Sequence, residues 1–310
     1  MVADPEADGD DEVEESWLRL VAGQSERLPM RPPATPSLGP GVVVGERHRL
    51  VARIGGGAMG TVYEAVRLSD GRAVALKVIR ADVAEEDELN ERFAREAHIL
   101  RDLRHRALVP VLDFGLHEGR PFFAMELLRG ETLRAFLSRE GAVTVDQGRA
   151  WIGPALDALQ LAHDRGIVHR DLKTENLFLD RGASPLRLRI LDFGLAKVRG
   201  DIALTASDAA FGTPAYMAPE QLESAKKATA KSDQYAVAAI LYEMLTRRIP
   251  HRGRDLVELS MAKMTKPPEP IPPTAEVPDS IQRALARALA KDPKDRYPNL
   301  VSFKEAILQD

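Results

Sequence analysis

The sequence predicts an α+β fold in two parts: a small antiparallel β-rich lobe with one helix, then a larger, mainly helical lobe. Three observations carry that expectation. Short runs rich in Val, Ala, Leu and Ile fill 49–79 and 110–127, with tight turn signals such as Gly55-Gly56-Gly57 and Ser69-Asp70-Gly71 between the first of them, the pattern of antiparallel strands. Residues 86–103, in their midst, repeat apolar side chains at helical spacing. Beyond Gly130 helical spacing dominates.

The elements follow in order. Residues 1–16 hold eight acids (Asp4, Glu6, Asp8, Asp10, Asp11, Glu12, Glu14, Glu15) and no Lys or Arg, so a chain of formal charge -4 becomes one of about +4 without them, a balance that suits a protein handling phosphates. The acidic leader, 1–28, includes one apolar patch, Trp17-Leu18-Arg19-Leu20-Val21; 29–40, PMRPPATPSLGP, is a Pro-rich linker that cannot form regular helix or sheet. Residues 1–42 are therefore expected to be disordered, either as a solvated tail or as an autoinhibitory or docking segment. The folded domain is expected over 43–309. Strands at 49–54, 61–67, 72–79, 110–116 and 121–127, with the helix 86–103, make the first lobe, about 43–126. Helices at 131–139, 145–165, 218–224, 231–247, 254–264, 278–290 and 299–308 make the second, about 130–309, with Pro-rich 267–278 separating two of them.

Composition narrows the function classes. The chain of 310 residues is long enough to bury a sizeable core, and its 44% apolar and 29% charged residues are an ordinary soluble balance. Cysteine is absent, which excludes disulfides, a thiolate nucleophile and a Cys-based zinc site. No apolar run reaches the roughly 18–20 residues that span a bilayer, and the N-terminus is acidic where a secretory signal is basic and then apolar. The expectation is a cytoplasmic protein with no membrane span and no nucleic-acid partner.

Two features point to phosphate chemistry. Ile54-Gly55-Gly56-Gly57-Ala58-Met59-Gly60-Thr61-Val62 fits G-x-G-x-x-G-x-V between two strands. Glycines let backbone approach a phosphate closely and adopt positive φ; a plain glycine-rich hairpin turn is the other reading. A strand follows, which excludes a dinucleotide-binding fingerprint, and no Lys-Ser/Thr follows the last Gly, which excludes a Walker loop. In the strand 73–79, Lys77 shares a face with Ala73, Ala75 and Ile79. In the helix, Glu96 lies on one stripe with Phe93, Ala97, Leu100 and Leu103. Burying either charge alone costs several kcal/mol, so a meeting of Lys77 with Glu96 is economical; a strand-edge lysine and a surface glutamate remain the alternative.

His169-Arg170-Asp171-Leu172-Lys173-Thr174-Glu175-Asn176 matches H-R-D-L-x-x-x-N at every fixed position, followed by Asp192-Phe193-Gly194 and Ala218-Pro219-Glu220. With the glycine loop and Val74-Ala75-Leu76-Lys77, this ordered set resembles the eukaryotic-type serine/threonine protein kinases, most like the bacterial branch, over roughly 45–308. The resemblance implies the bilobal protein kinase fold, with a hinge at about 126–129, and transfer of the γ-phosphate of ATP, with Mg²⁺ or Mn²⁺, to Ser/Thr hydroxyls of protein substrates. It implies Asp171 as proton acceptor, Lys173 and Lys77 on phosphates, Glu96 holding Lys77, and Asn176 and Asp192 as metal ligands. It implies an ATP site of Ile54, Gly55, Gly57, Gly60, Val62, Ala75, Lys77, Phe178 and the hinge residues Glu126 and Leu128; core packing is the other reading of the apolar members. Lys173, with Gly212-Thr213-Pro214-Ala215-Tyr216, resembles the serine/threonine branch, with Thr213 in the substrate platform. Glu175 reads a basic substrate residue in some relatives.

The resemblance also implies that Arg170 pairs with a phosphate on the activation segment, about 192–220, where Thr205 and Ser207 are the candidate autophosphorylation sites. It implies that Asp233 braces the catalytic loop and that Arg296 pairs with Glu220. It allows a transient kinase dimer. Thr174 stands where proline is common, Ala238 where many relatives have glycine, and Arg247-Arg248 where a glycine turn is usual. Two rivals are weighed against this. A scaffold without catalysis usually lacks the equivalents of Lys77, Asp171 or Asp192, and all three are present. A small-molecule phosphotransferase is disfavoured by Ala218-Pro219-Glu220 and the Thr213 platform.

Overall fold

The computed structural model describes residues 38–57, 60–80, 99, 101–191 and 214–309. The first sheet contains β1 (Val43–Val44), β2 (His48–Gly57), β3 (Gly60–Arg67), β4 (Ala73–Ile79), β5 (Val111–His117) and β6 (Arg120–Glu126). It is antiparallel in the order β1-β2-β3-β4-β6-β5. Alternation decides which face each residue serves. Val74, Leu76 and Val78 of β4 join Phe122 and Ala124 of β6 and Tyr63 and Ala65 of β3 in an outer cluster. The opposite face, with Phe123, Met125 and Ile79, belongs to the main core that continues into the second lobe. Leu38 and Val42 pack against the outer cluster. Of the predicted helix 86–103, residues 99 and 101–103 are described; 99, 101 and 102 are helical and Leu103 is not.

The second lobe is mainly helical, as expected, with one addition. It carries a three-stranded sheet, β7 (Gly130–Thr132), β8 (Leu177–Asp180) and β9 (Arg187–Ile190), in that order. The helix expected from 131 therefore begins at 133, as α1 (Leu133–Glu140), with the Thr132 hydroxyl capping Ala135 N–H. Gly130 is required there: its φ is 150°, and a Cβ would lie 2.0 Å from Leu179 O. The remaining helices follow the expected positions: α2 (Val145–His163), α3 (Pro219–Glu223), α4 (Ala230–Thr246), α5 (Leu256–Thr265), α6 (Asp279–Ala288) and α7 (Leu300–Leu308). Thr144 and Gln147 form a capping box at the start of α2. α4 is buried around nearly its whole circumference, the behaviour of a helix through the middle of a core. No helix among the described residues is long and apolar enough to cross a membrane.

Candidate active site

The cleft-side face of the first sheet collects several predicted ligands by register alone. Gly55 opposes Val62, Val62 opposes Lys77, and Lys77 opposes Phe123; Ala75 opposes Met125. Directly opposed residues share a face, so Val62, Lys77 and Ala75 stand with the main core side, Ala75 buried and Val62 and Lys77 half-buried. Ile54, at the far end of β2, is half-exposed. The glycines divide into two kinds. Gly55 has only Val62 at 3.9 Å from where its Cβ would stand, and Gly57 has nothing within 4 Å. Gly60 has no such room, because a Cβ would lie 2.4 Å from Val78 O of β4. None of these glycines has a φ in the left-handed region, so the expected positive φ is not found at them, and only at Gly60 does the surrounding backbone leave no room for a side chain.

The loop after α2 is held by one buried carboxylate. Asp233 of α4 accepts from His169 N–H at 2.8 Å, Arg170 N–H at 2.9 Å and His163 Nε2 at 2.7 Å. This is the predicted brace, and it fixes Arg170 at φ 64°, a conformation costly for a non-glycine residue. His169, fully buried, contacts Leu191 O through Nε2 at 3.1 Å and accepts Asp171 N–H on Nδ1 at 3.3 Å; a carbonyl only accepts, so the proton sits on Nε2. Asn176 donates from Nδ2 to Asp171 O at 2.7 Å and to Asp171 Oδ2 at 3.2 Å, and Lys173 Nζ lies 3.4 Å from the same Oδ2. Leu191 N–H donates to Asn176 O at 2.8 Å. Asp171, Lys173 and Asn176 therefore stand together, with Leu191 bonded alongside.

Beyond the loop, Pro214–Ala218 is tied down from several directions. Tyr216, buried, places its hydroxyl 2.9 Å from Thr174 Oγ1 and 2.5 Å from Glu243 Oε2. Burial, then the Glu243 charge, pushes the Tyr216 phenol pKa far up, so it stays neutral and donates. Thr174, at the position where proline is common, thus has a polar partner. Arg134 of α1 bridges Glu175 at 3.0 Å and Glu243 at 3.3 Å. Gln221 Nε2 donates to Arg170 O at 3.1 Å. Arg296 makes a bidentate pair with Glu220, both bonds 2.8 Å, as expected. Burial alone would raise the Glu220 carboxyl; the Arg296 pair and the Ser232 hydroxyl outweigh it and hold it low.

The family description "Protein kinase domain" matches residues 48–307. The chain belongs to the protein kinase family. Serine/threonine-protein kinase pkn3 of Myxococcus xanthus is 37% identical over 278 residues, covering 86% of this chain and 50% of that protein. Serine/threonine-protein kinase PknA of Mycobacterium tuberculosis is 33% identical over 272 residues, covering 86% and 62%. The chain thus spans about half the length of curated relatives such as these. Among solved structures, the PknI kinase domain of Mycobacterium tuberculosis has a TM-score of 0.67 at 27% identity over 87% of this chain and 98% of that one. Rad53 1-466 in complex with AMP-PNP has a TM-score of 0.70 at 25% identity over 84% and 66%.

In this kinase domain several predicted positions lie outside the described residues: Glu96, Asp192, Thr205, Ser207 and Thr213, with the acidic leader 1–28 and the linker as far as 37. Glu126 ends β6, and Leu128 follows in the connector. Phe178 sits on β8 opposite Thr132. Sequence reasoning did not single out Arg189. Buried on β9, it donates to Leu108 O at 2.9 Å, Glu126 Oε2 at 2.9 Å and Asp180 Oδ2 at 3.2 Å, joining the two lobes of the kinase. The alternation Leu186-Arg187-Leu188-Arg189-Ile190 was the available signal for that strand.

Proposed function

We propose that this chain is a serine/threonine protein kinase that transfers the γ-phosphate of ATP to serine or threonine hydroxyls of proteins in the cytoplasm. The observation that carries this reading is the grouping of Asp171, Lys173 and Asn176 in a loop whose backbone Asp233 clamps. In the reaction, the acceptor hydroxyl oxygen attacks the γ-phosphorus, and the bond from that phosphorus to the β–γ bridging oxygen breaks. ADP leaves with the electron pair, and the hydroxyl proton passes to the Asp171 carboxylate. Lys173, beside Asp171, would balance charge on the moving phosphoryl group, and Lys77 would hold the α- and β-phosphates. The room over Gly55 and Gly57 suits close approach of backbone to phosphate. Val62, Ala75 and Phe178 would flank the base, with backbone of Glu126 and Leu128 along its edge.

A divalent cation fits the residues present. Asn176 spends its amide nitrogen on Asp171, which turns its oxygen, a hard donor, to the other side. Asn176 and Asp192 would hold Mg²⁺, which when bound neutralises phosphate oxygens. The same reading assigns regulation to Thr205 and Ser207. Arg170 Nε is buried with no hydrogen-bond partner among the described residues, and a phosphate on the activation segment would supply acceptors for it.

The test is transfer of γ-labelled phosphate from Mg·ATP to myelin basic protein by the full chain and by Asp171→Asn. Label is expected on serine or threonine and is expected to fall about 10²–10⁴-fold in the variant. Mass spectrometry of both proteins is expected to find Thr205 or Ser207 phosphorylated only where Asp171 is intact. Undiminished transfer by Asp171→Asn, or label on tyrosine, would overturn the assignment.

A further inference from the structure

Lys263 lies on α5, 2% exposed, where lysine is rarely found unpaired. Its Nζ donates to Ala215 O at 2.8 Å and to Met217 O at 2.6 Å, the carbonyls on either side of Tyr216. The Tyr235 ring of α4 lies 5.1 Å from the same nitrogen. The other charged or titratable groups acting here are Glu220, whose oxygens are engaged by Arg296 and Ser232, and His251. Among the described residues no carboxylate makes an ion pair with Lys263, and burial pushes its ammonium down to about 7. A neutral amine still has two N–H groups for two carbonyls, so the hold persists in either protonation state.

An apolar side chain of equal length would fill this space without the cost of desolvating an amine. What the amine adds is direction: it satisfies two backbone carbonyls and fixes the strip of chain between them. That strip faces the catalytic loop through Tyr216 to Thr174, and just beyond it Gln221 accepts from Ala218 N–H and donates to Arg170 O. Within Pro214–Ala218, Met217 is the half-buried residue between buried neighbours, so its side chain is the one turned outward.

We propose that Lys263 is a positioning residue for the protein substrate, holding the shelf Pro214–Ala218 in place through the carbonyls of Ala215 and Met217. The proposal rests on the reading of that segment as the shelf on which the acceptor peptide lies. It separates substrate binding from nucleotide binding: α5 touches the shelf, and the predicted ATP contacts lie on other elements.

The test is steady-state kinetics of the full chain with myelin basic protein and ATP varied in turn. Lys263→Met removes both donors and is expected to raise KM for the acceptor about tenfold while KM for ATP stays within about twofold. Lys263→Arg, which restores donors, is expected to recover most of the loss. A role in folding alone would lower kcat by the inactive fraction and leave both KM values in place, and that result would overturn the proposal. Met217→Ala tests the shelf separately. If it leaves the acceptor KM unchanged, the shelf reading fails; if it raises that KM and Lys263→Met does not, the role of Lys263 alone fails. If Lys263→Met does not fold, acetic anhydride labelling of the unaltered protein decides the placement. Lys263 is expected to acetylate far more slowly than exposed Lys227, and equal rates would overturn the buried hold.

Discussion

Asp233 shows how much one carboxylate can organise. Its two oxygens accept three donors, two of them backbone N–H groups of the loop that carries Asp171. It also stabilises Arg170 in left-handed backbone, which costs about 1–2 kcal/mol without such support. Asp233→Asn exchanges an accepting oxygen for a donating NH₂ that would face N–H groups. Urea denaturation is expected to show a loss of about 2 kcal/mol, and kcat is expected to fall at least about tenfold as the loop loosens. Unchanged kcat in a destabilised variant would mean the brace serves folding alone. At this scale the sequence was readable where a motif spelled the residue out, as at Asp171, Asn176 and Asp233. It was silent on Lys263 and Arg189, whose partners, two backbone carbonyls for Lys263 and Leu108 O with the Glu126 and Asp180 carboxylates for Arg189, are brought to them only by the fold.

α4 illustrates an element whose end conflicts with its residue. Its C-cap is Arg247 at φ 59°, ψ 21°, a left-handed conformation that glycine adopts without Cβ strain. Arg247→Gly is expected to stabilise the fold by about 1 kcal/mol, a rise in Tm of about 2–4 °C by calorimetry. Strands of the first sheet were legible because Gly-rich turns punctuate them and their residues alternate. The second sheet was not: its strands span three or four residues, and the alternation over 186–190, the one signal available, was too short to be separated from the neighbouring helical texture. Gly130 was read as a boundary, and sterics against Leu179 O make it the start of β7.

For the whole molecule, two buried bases make large contributions to the response to pH. His251 is buried; its Nε2 lies 3.2 Å from Lys266 O and its Nδ1 3.2 Å from Tyr235 hydroxyl. Desolvation, then the Lys263 charge, pushes it down to about 4. Between pH 4 and 6.5 the unfolded chain therefore binds the proton more readily than the folded one. Stability is full above about 6.5 and is lost as pH falls toward 4, on the order of 3 kcal/mol from this group. Lys263, lowered from 10.5 to about 7, acts in a higher window with the same sign, so stability rises with pH above 7. Urea midpoints are expected to climb from pH 4 to 6.5 and again from 7 to 9. A flat profile over the upper window would place a charged, hydrated amine at Lys263. Neither group was visible in advance, because burial is a property of the assembled core.

The tether made by Arg189 leaves little freedom for one lobe to turn against the other along the connector. Arg189 anchors Glu126, and Arg181 N–H donates to Arg129 O at 2.7 Å. Between those two anchors lie Leu127 and Leu128, about four soft dihedrals in all. Any rotation of the small lobe carried by this strand is concentrated in those torsions, so a few tens of degrees there would become a displacement of several ångströms at the glycine loop. Any turn of the small lobe is thereby coupled to a joint of two residues, Leu127 and Leu128.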